Sequence, residues 1–147
     1  MATSKPSGLT AREILDKTTA RVQSAARYAV IEAAEPRLLR GGFAALKTVT
    51  YSTADADGVP KTAPGKRYKT TVYATESGVR LHRARLKVAC SCDAHVYWGG
   101  EYALWRKGAA DLHYGNGEPP RVRNPKLIPW ACKHIARVLR QILNKRV

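Results

Sequence analysis

Val79-Arg80-Leu81-His82-Arg83-Ala84-Arg85-Leu86-Lys87-Val88-Ala89-Cys90-Ser91-Cys92 is followed, after 39 intervening residues, by Cys132-Lys133-His134-Ile135-Ala136-Arg137-Val138-Leu139. In the first stretch Val79, Leu81, Leu86, Val88 and Cys90 alternate with polar neighbours, with a break near Ala84. That is strand period. In the second, Ile135, Val138, Leu139, Ile142 and Leu143 recur at helical spacing, and Lys133, Arg137, Arg140 and Asn144 take the opposite face. The pattern predicts a strand that ends in Cys-x-Cys and a helix that opens with Cys-x-His.

Cys90, Cys92 and Cys132 are the only cysteines in the chain. With His134 they make three thiolates and one imidazole, a donor set that suits the borderline softness of zinc. Four protein ligands leave no open position for water, so the expected site is a structural staple. His134 lies at the edge of the helix's apolar stripe, facing inward. Unpaired amides at a helix N-terminus would favour the Cys132 thiolate. A disulfide framework does not account for three cysteines, whereas small buried hydrophobes would. His95 and His113, within the long insertion, are alternatives to His134 as the fourth ligand.

The order Cys-x-Cys, spacer, Cys-x-His on strand then helix resembles the SWIM zinc finger over about Val79 to Leu143. That resemblance implies a ββα core with Cys90, Cys92, Cys132 and His134 at the ligand positions, and a role in DNA binding or protein interaction. The spacer is longer than the usual SWIM loop, so the loop is read as an elaborated insertion. Its filling, with Tyr97-Trp98, Tyr102-Ala103-Leu104-Trp105, Asn124-Pro125 and Cys132-Lys133-His134-Ile135, also resembles Cys/His proteins encoded by tailed bacteriophages. Such a likeness implies a virion component.

At 147 residues the chain has the size of one domain with a modest core. Its 26 Lys and Arg against 11 Asp and Glu give a net charge of +15. Such an excess favours phosphate backbones, anionic surfaces or an acidic protein partner. No apolar run is long enough for a membrane span, and Met1 to Gly8 has no apolar signal core. Thiols arranged for metal suit a reducing compartment.

Residues 1–9 read as a disordered arm. Thr10-Ala11-Arg12-Glu13 fits a capping box, and the alanine-rich run that follows predicts one long helix over 10–36, ended by Pro36. Its thin stripe of Leu15, Val22, Ala26, Ala29, Val30 and Ala33 would pack on a neighbouring chain or on its own sheet. Arg37 to Gly42 reads as a connector and Phe43 to Ser52 as a strand. Tyr68 to Thr75 reads as another strand, turned by Glu76-Ser77-Gly78 into a hairpin partner starting at Val79. The expected fold is α+β: a long N-terminal helix, a small antiparallel meander, and a zinc-stapled ββα-like module within residues 43–147.

Basic residues crowd the segment from Lys61 to Lys87. Lys66, Arg67, Lys69, Arg80, Arg83, Arg85 and Lys87, interleaved with Tyr68, Tyr73 and His82, form a candidate face for nucleic acid or an acidic partner. The insertion holds Trp98, Trp105 and Trp130, as a small core around the metal or as a binding surface. Acids are few and scattered, with Asp93, Glu101 and Asp111 as candidate general bases for a metal hydrolase, and no phosphate-cradling glycine loop or nucleophile elbow appears. The chain is therefore read as non-enzymatic. The first reading is a structural protein of a virion, in the head-to-tail region, tail or baseplate, assembled in a host cytoplasm among other virion proteins. The alternative is a SWIM-like module that engages nucleic-acid phosphates through its basic face.

Overall fold

The computed structural model describes residues 7–55, 57–60, 66–92, 95–96, 100–111, 124 and 126–147. Tyr97, Trp98, His113, Tyr114, Lys61 and most of the prolines of the insertion lie outside the described residues. The elements are β1 (Leu9–Thr10), α1 (Ala11–Lys17), α2 (Ala20–Ala26), β2 (Ala29–Leu39), β3 (Phe43–Ser52), β4 (Tyr68–Ala74), β5 (Arg85–Cys90), α3 (Gly100–Arg106) and α4 (Lys133–Lys145). The strands form one five-stranded sheet in the order β1-β5-β4-β3-β2, antiparallel at every pairing. The fold is α+β, as expected, but its N-terminal third differs from the sequence reading.

There is no long N-terminal helix. The capping box does form: Glu13 N donates to Thr10 Oγ1 at 3.2 Å and Thr10 N to Glu13 Oε1 at 3.1 Å. The helix it starts ends after seven residues at Thr18-Thr19. Thr18 turns its hydroxyl back to Ile14 O at 2.8 Å, and Thr19 caps α2. Threonine hydroxyls compete with the helical ladder in this way, and the branched side chain adds a rotamer cost. From Ala29 the chain is extended and pairs with β3 from Ala29↔Ser52 to Leu39↔Phe43. Alanine and glutamate favour helix only weakly, and a strand partner rich in Thr, Val and Tyr overrides that preference. Pro36 fits because β2 is the sheet's margin, where a missing N–H is tolerated. The Arg37–Gly42 connector shrinks to a three-residue turn whose Gly41 and Gly42 hold φ of 91° and 85°.

Two smaller differences follow. Leu9 and Thr10, the first expected in a disordered arm, pair with Leu86 and Arg85. The strand carrying the first ligand pair starts at Arg85 rather than Val79. Arg80 O accepts from both Arg83 N and Ala84 N at 3.0 Å, so a tight turn occupies that stretch.

Register decides what faces what. Leu46, Val72 and Val88 stand side by side on one face, and Thr48, Thr70 and Cys90 form the next row. Helix α4 crosses this inner face and also packs on α1 and α2. Its Ile135, Val138, Leu139 and Ile142 are fully buried there, as the helical spacing predicts. The core therefore lies between the sheet and α4, with Ile14, Leu81 and Leu104 closing its ends. Leu139→Ala should lower unfolding free energy by about 2–5 kcal/mol through the cavity it leaves. Chemical denaturation of the metal-loaded chain measures this, and a midpoint unchanged from the parent would place Leu139 outside the core.

Candidate metal centre

The sheet and the last helix converge on one point. Cys90 is the final residue of β5, Cys92 follows two residues on, Cys132 is the N-cap of α4, and His134 lies in its first turn. All four side chains are buried, and their donor atoms lie within 4.8 Å of one another. Bonds of about 2.3 Å at tetrahedral angles place ligand atoms roughly 3.8 Å apart. Cys90 Sγ and His134 Nδ1 are 3.8 Å apart. The donor types, burial and spacing are compatible with a bound metal ion.

Residues without any signature in the sequence hold these ligands in place. Ser52 Oγ lies 3.4 Å from His134 Nε2, so Nδ1 is the nitrogen turned toward the sulfurs. A second-nitrogen contact of this kind fixes ring orientation and tautomer in metal sites. The Tyr68 ring lies against the imidazole, with centroids 4.9 Å apart. Thr70 donates to Cys90 Sγ at 3.4 Å and itself meets Thr50 Oγ1 at 2.9 Å. Ile135 N donates to Cys132 Sγ at 3.4 Å, which makes the sulfur both cap and candidate ligand. One residue earlier, Ala131 N donates to Thr18 Oγ1 at 3.0 Å, tying the ligand turn to the end of α1. Apart from the local cap at Ile135, these partners lie far away in sequence, and only strand register and helix packing bring them here.

The electrostatics of the metal-free cluster are uneven. Burial pushes the Cys90 thiol up to about 12. Burial, then the neighbouring sulfurs, raises Cys132 well above the usual thiol range. Cys92 is lowered, first because Cys132 and Cys90 donate hydrogen bonds to its sulfur. The pocket thus favours one thiolate cradled by two thiols, and a cation is what would stabilise all three sulfurs as thiolates.

Of the two alternative histidines, His113 lies outside the described residues, and His95 stands apart from the four-ligand cluster. His95 is fully buried, with neither ring nitrogen hydrogen-bonded among the described residues. Its Nε2 is 3.8 Å from Glu101 Oε2, and burial depresses its basicity. Tyr102 and Trp105 of α3 stack at 5.4 Å, with Leu104 buried in the main core.

The seven basic candidates do not converge as the ligands do. Arg67 is held by Glu32 at 2.7 and 3.1 Å and lies 4.8 Å over the Tyr51 ring. Lys87 meets Asp111 at 3.0 Å. Arg85 donates to Gly8 O at 3.2 Å and has Glu13 at 3.9 Å. Lys66 leans on Tyr68 at 5.7 Å, while Lys69 is exposed on β4 and Arg80 and Arg83 are exposed together on the turn before β5. Register puts Lys69, Arg85 and Lys87 on the outer face of the sheet, opposite Val72 and Val88. No helix among the described residues is long and apolar enough to cross a membrane. Set against protein-family models, curated proteins and solved structures, the chain matches none of them.

Proposed function

We propose that this chain is a non-enzymatic structural protein, stapled by a structural zinc and built into a larger assembly. The observation that carries this reading is the burial of Cys90, Cys92, Cys132 and His134 as a four-donor set. Four protein ligands complete a tetrahedral centre and leave no position for a catalytic water. Cys-x-Cys at a strand end and Cys-x-His at a helix start support a SWIM-like arrangement. The margin strand β2 supports docking, since Leu38 is 78% exposed and Leu39 40% exposed beside the sheet's open edge. The likeness of the insertion to proteins of tailed bacteriophages supports a virion as that assembly, in its head-to-tail region, tail or baseplate.

Two measurements test the two halves of this reading. Elemental analysis of purified protein should find one zinc per chain, with all three thiols unreactive until a chelator is added. A metal-free chain with reactive thiols would end the staple. Cross-linking mass spectrometry on purified particles should recover this chain joined to other virion proteins. Recovery solely from the unassembled fraction would end the assembly reading.

A further inference from the structure

Basic side chains on the two sides of the molecule are satisfied by different chemistry. On the sheet side the acceptors are carboxylates: Glu35 for Arg37, Glu32 for Arg67 and Asp111 for Lys87. On the helical side they are neutral oxygens. Arg27 Nη2 donates to Ser24 Oγ and Arg140 Nη2 to Gln23 Oε1, each at 3.0 Å. Arg137 Nε donates to Ala29 O and its Nη1 to Gln141 Oε1, each at 3.2 Å. Arg21, six residues before Arg27 on α2, is the exception, with Asp57 at 3.7 Å.

Between α2 and α4 runs a groove of about 350 Å³ lined by Ala20, Gln23, Ser24, Arg27 and Arg140, with no carboxylate in its lining among the described residues. Gln23 sets the geometry. Its Nε2 donates to Leu15 O at 3.0 Å and Thr18 O at 3.1 Å, which turns Oε1 outward to receive Arg140. The guanidinium is thereby aimed without being neutralised. Each guanidinium has five N–H donors in a planar fork, and a single neutral acceptor leaves most of the fork for an oxyanion. A fixed fork loses less freedom on binding than a free one. The net charge of +15 adds long-range attraction for anions.

We propose that this groove binds a phosphate oxyanion between Arg27 and Arg140, as presented along a nucleic-acid strand. The site is distinct from the metal centre and does not depend on the assembly reading. Its chemistry matches a phosphodiester or a free phosphate, and a competition experiment separates the two.

Metal-loaded full-length protein is titrated against a fluorescein-labelled single-stranded 12-mer by anisotropy over a range of salt. Arg27→Gln combined with Arg140→Gln should weaken binding at least tenfold. It should also reduce the slope of log affinity against log salt by about 0.7, the share of the one phosphate that the two arginines hold. Lys47→Gln with Arg40→Gln removes the same charge from exposed positions on the β2–β3 hairpin of the sheet and should change affinity less than threefold. Arg140→Lys keeps the charge without the fork and should fall between. If the double variant fails to fold, Ser24→Glu places a carboxylate against the same arginines and should give the same loss. Displacement of the 12-mer by millimolar inorganic phosphate would assign the groove to free phosphate. Resistance to displacement assigns it to the polymer. Equal losses in the groove and sheet variants, or no binding of either probe, would overturn the proposal.

Discussion

Cys132→Ser is expected to empty the metal centre and lower the melting temperature by about 8–16 °C. The substitution separates two roles that one sulfur plays. Cys132 Sγ accepts from Ile135 N as the N-cap of α4, and it also faces Cys90, Cys92 and His134. Serine is among the best N-cap residues, so the start of the helix is preserved. What disappears is the thiolate ligand. A metal present at about 1,000 times its dissociation constant contributes roughly 4 kcal/mol to the folded state. For a chain of this size each kcal/mol shifts the midpoint by about 2–4 °C. Parent and variant are compared by calorimetry and elemental analysis. One metal per chain with an unshifted midpoint in the variant would remove Cys132 from the ligand set.

Metal affinity should fall about 100-fold for each pH unit lost below neutrality, because uptake displaces two thiol protons. The stoichiometry follows from the uneven thiols. Cys90, pushed up to about 12 by burial, and Cys132, raised well above the thiol range, are both protonated at pH 7 in the metal-free fold. Cys92, lowered by hydrogen bonds from those two thiols, already carries a thiolate. Binding therefore releases protons from Cys90 and Cys132, and acid opposes it. The sign reverses for the stability of the metal-free fold. Raised thiols contribute stability that is present below the ordinary thiol range and lost as pH rises from there through the raised folded values, about 12 for Cys90. Competition against a chromophoric chelator from pH 6 to 8 measures the slope of log affinity on pH, expected near two. A slope near three would mean that one further ligand, Cys92 or His134, also gives up a proton on binding, and a flat profile would remove thiolate ligation altogether.

Both predictions depend on residues that stand out locally. The chain's only cysteines, in two closely spaced groups, and the helical spacing of Ile135, Val138, Leu139 and Ile142 mark the ligands and α4 without reference to any partner. The capping box at Thr10 and Glu13 is local too, and it forms. A helix start, however, carries no information on where the helix stops. The run from Thr10 to Pro36 looks continuous because Ala, Glu and Arg favour helix by only tenths of a kcal/mol per residue. Pairing of β2 along the whole of β3 outweighs such preferences and converts its second half to strand.

The surroundings of the ligands were illegible for a related reason. Ser52 reaches His134 from 82 residues away, and Ala131 reaches Thr18 across 113. Neither serine nor threonine carries a pattern that marks it for such a role. The groove arginines were equally hidden: Arg27 and Arg140 belong to different helices, and Gln23 joins them only through the packing of α2 on α4.

The three candidate cysteine ligands, the last helix and the excess of positive charge were thus determined by sequence alone, since each depends on residue type and short-range spacing. The sheet order, the strand at Ala29–Leu39, the orientation of His134 and the separation of carboxylate-paired from amide-held cations were decided by tertiary structure. Each of these is a choice among partners far apart in the chain, and register and burial make that choice when propensity differences are small.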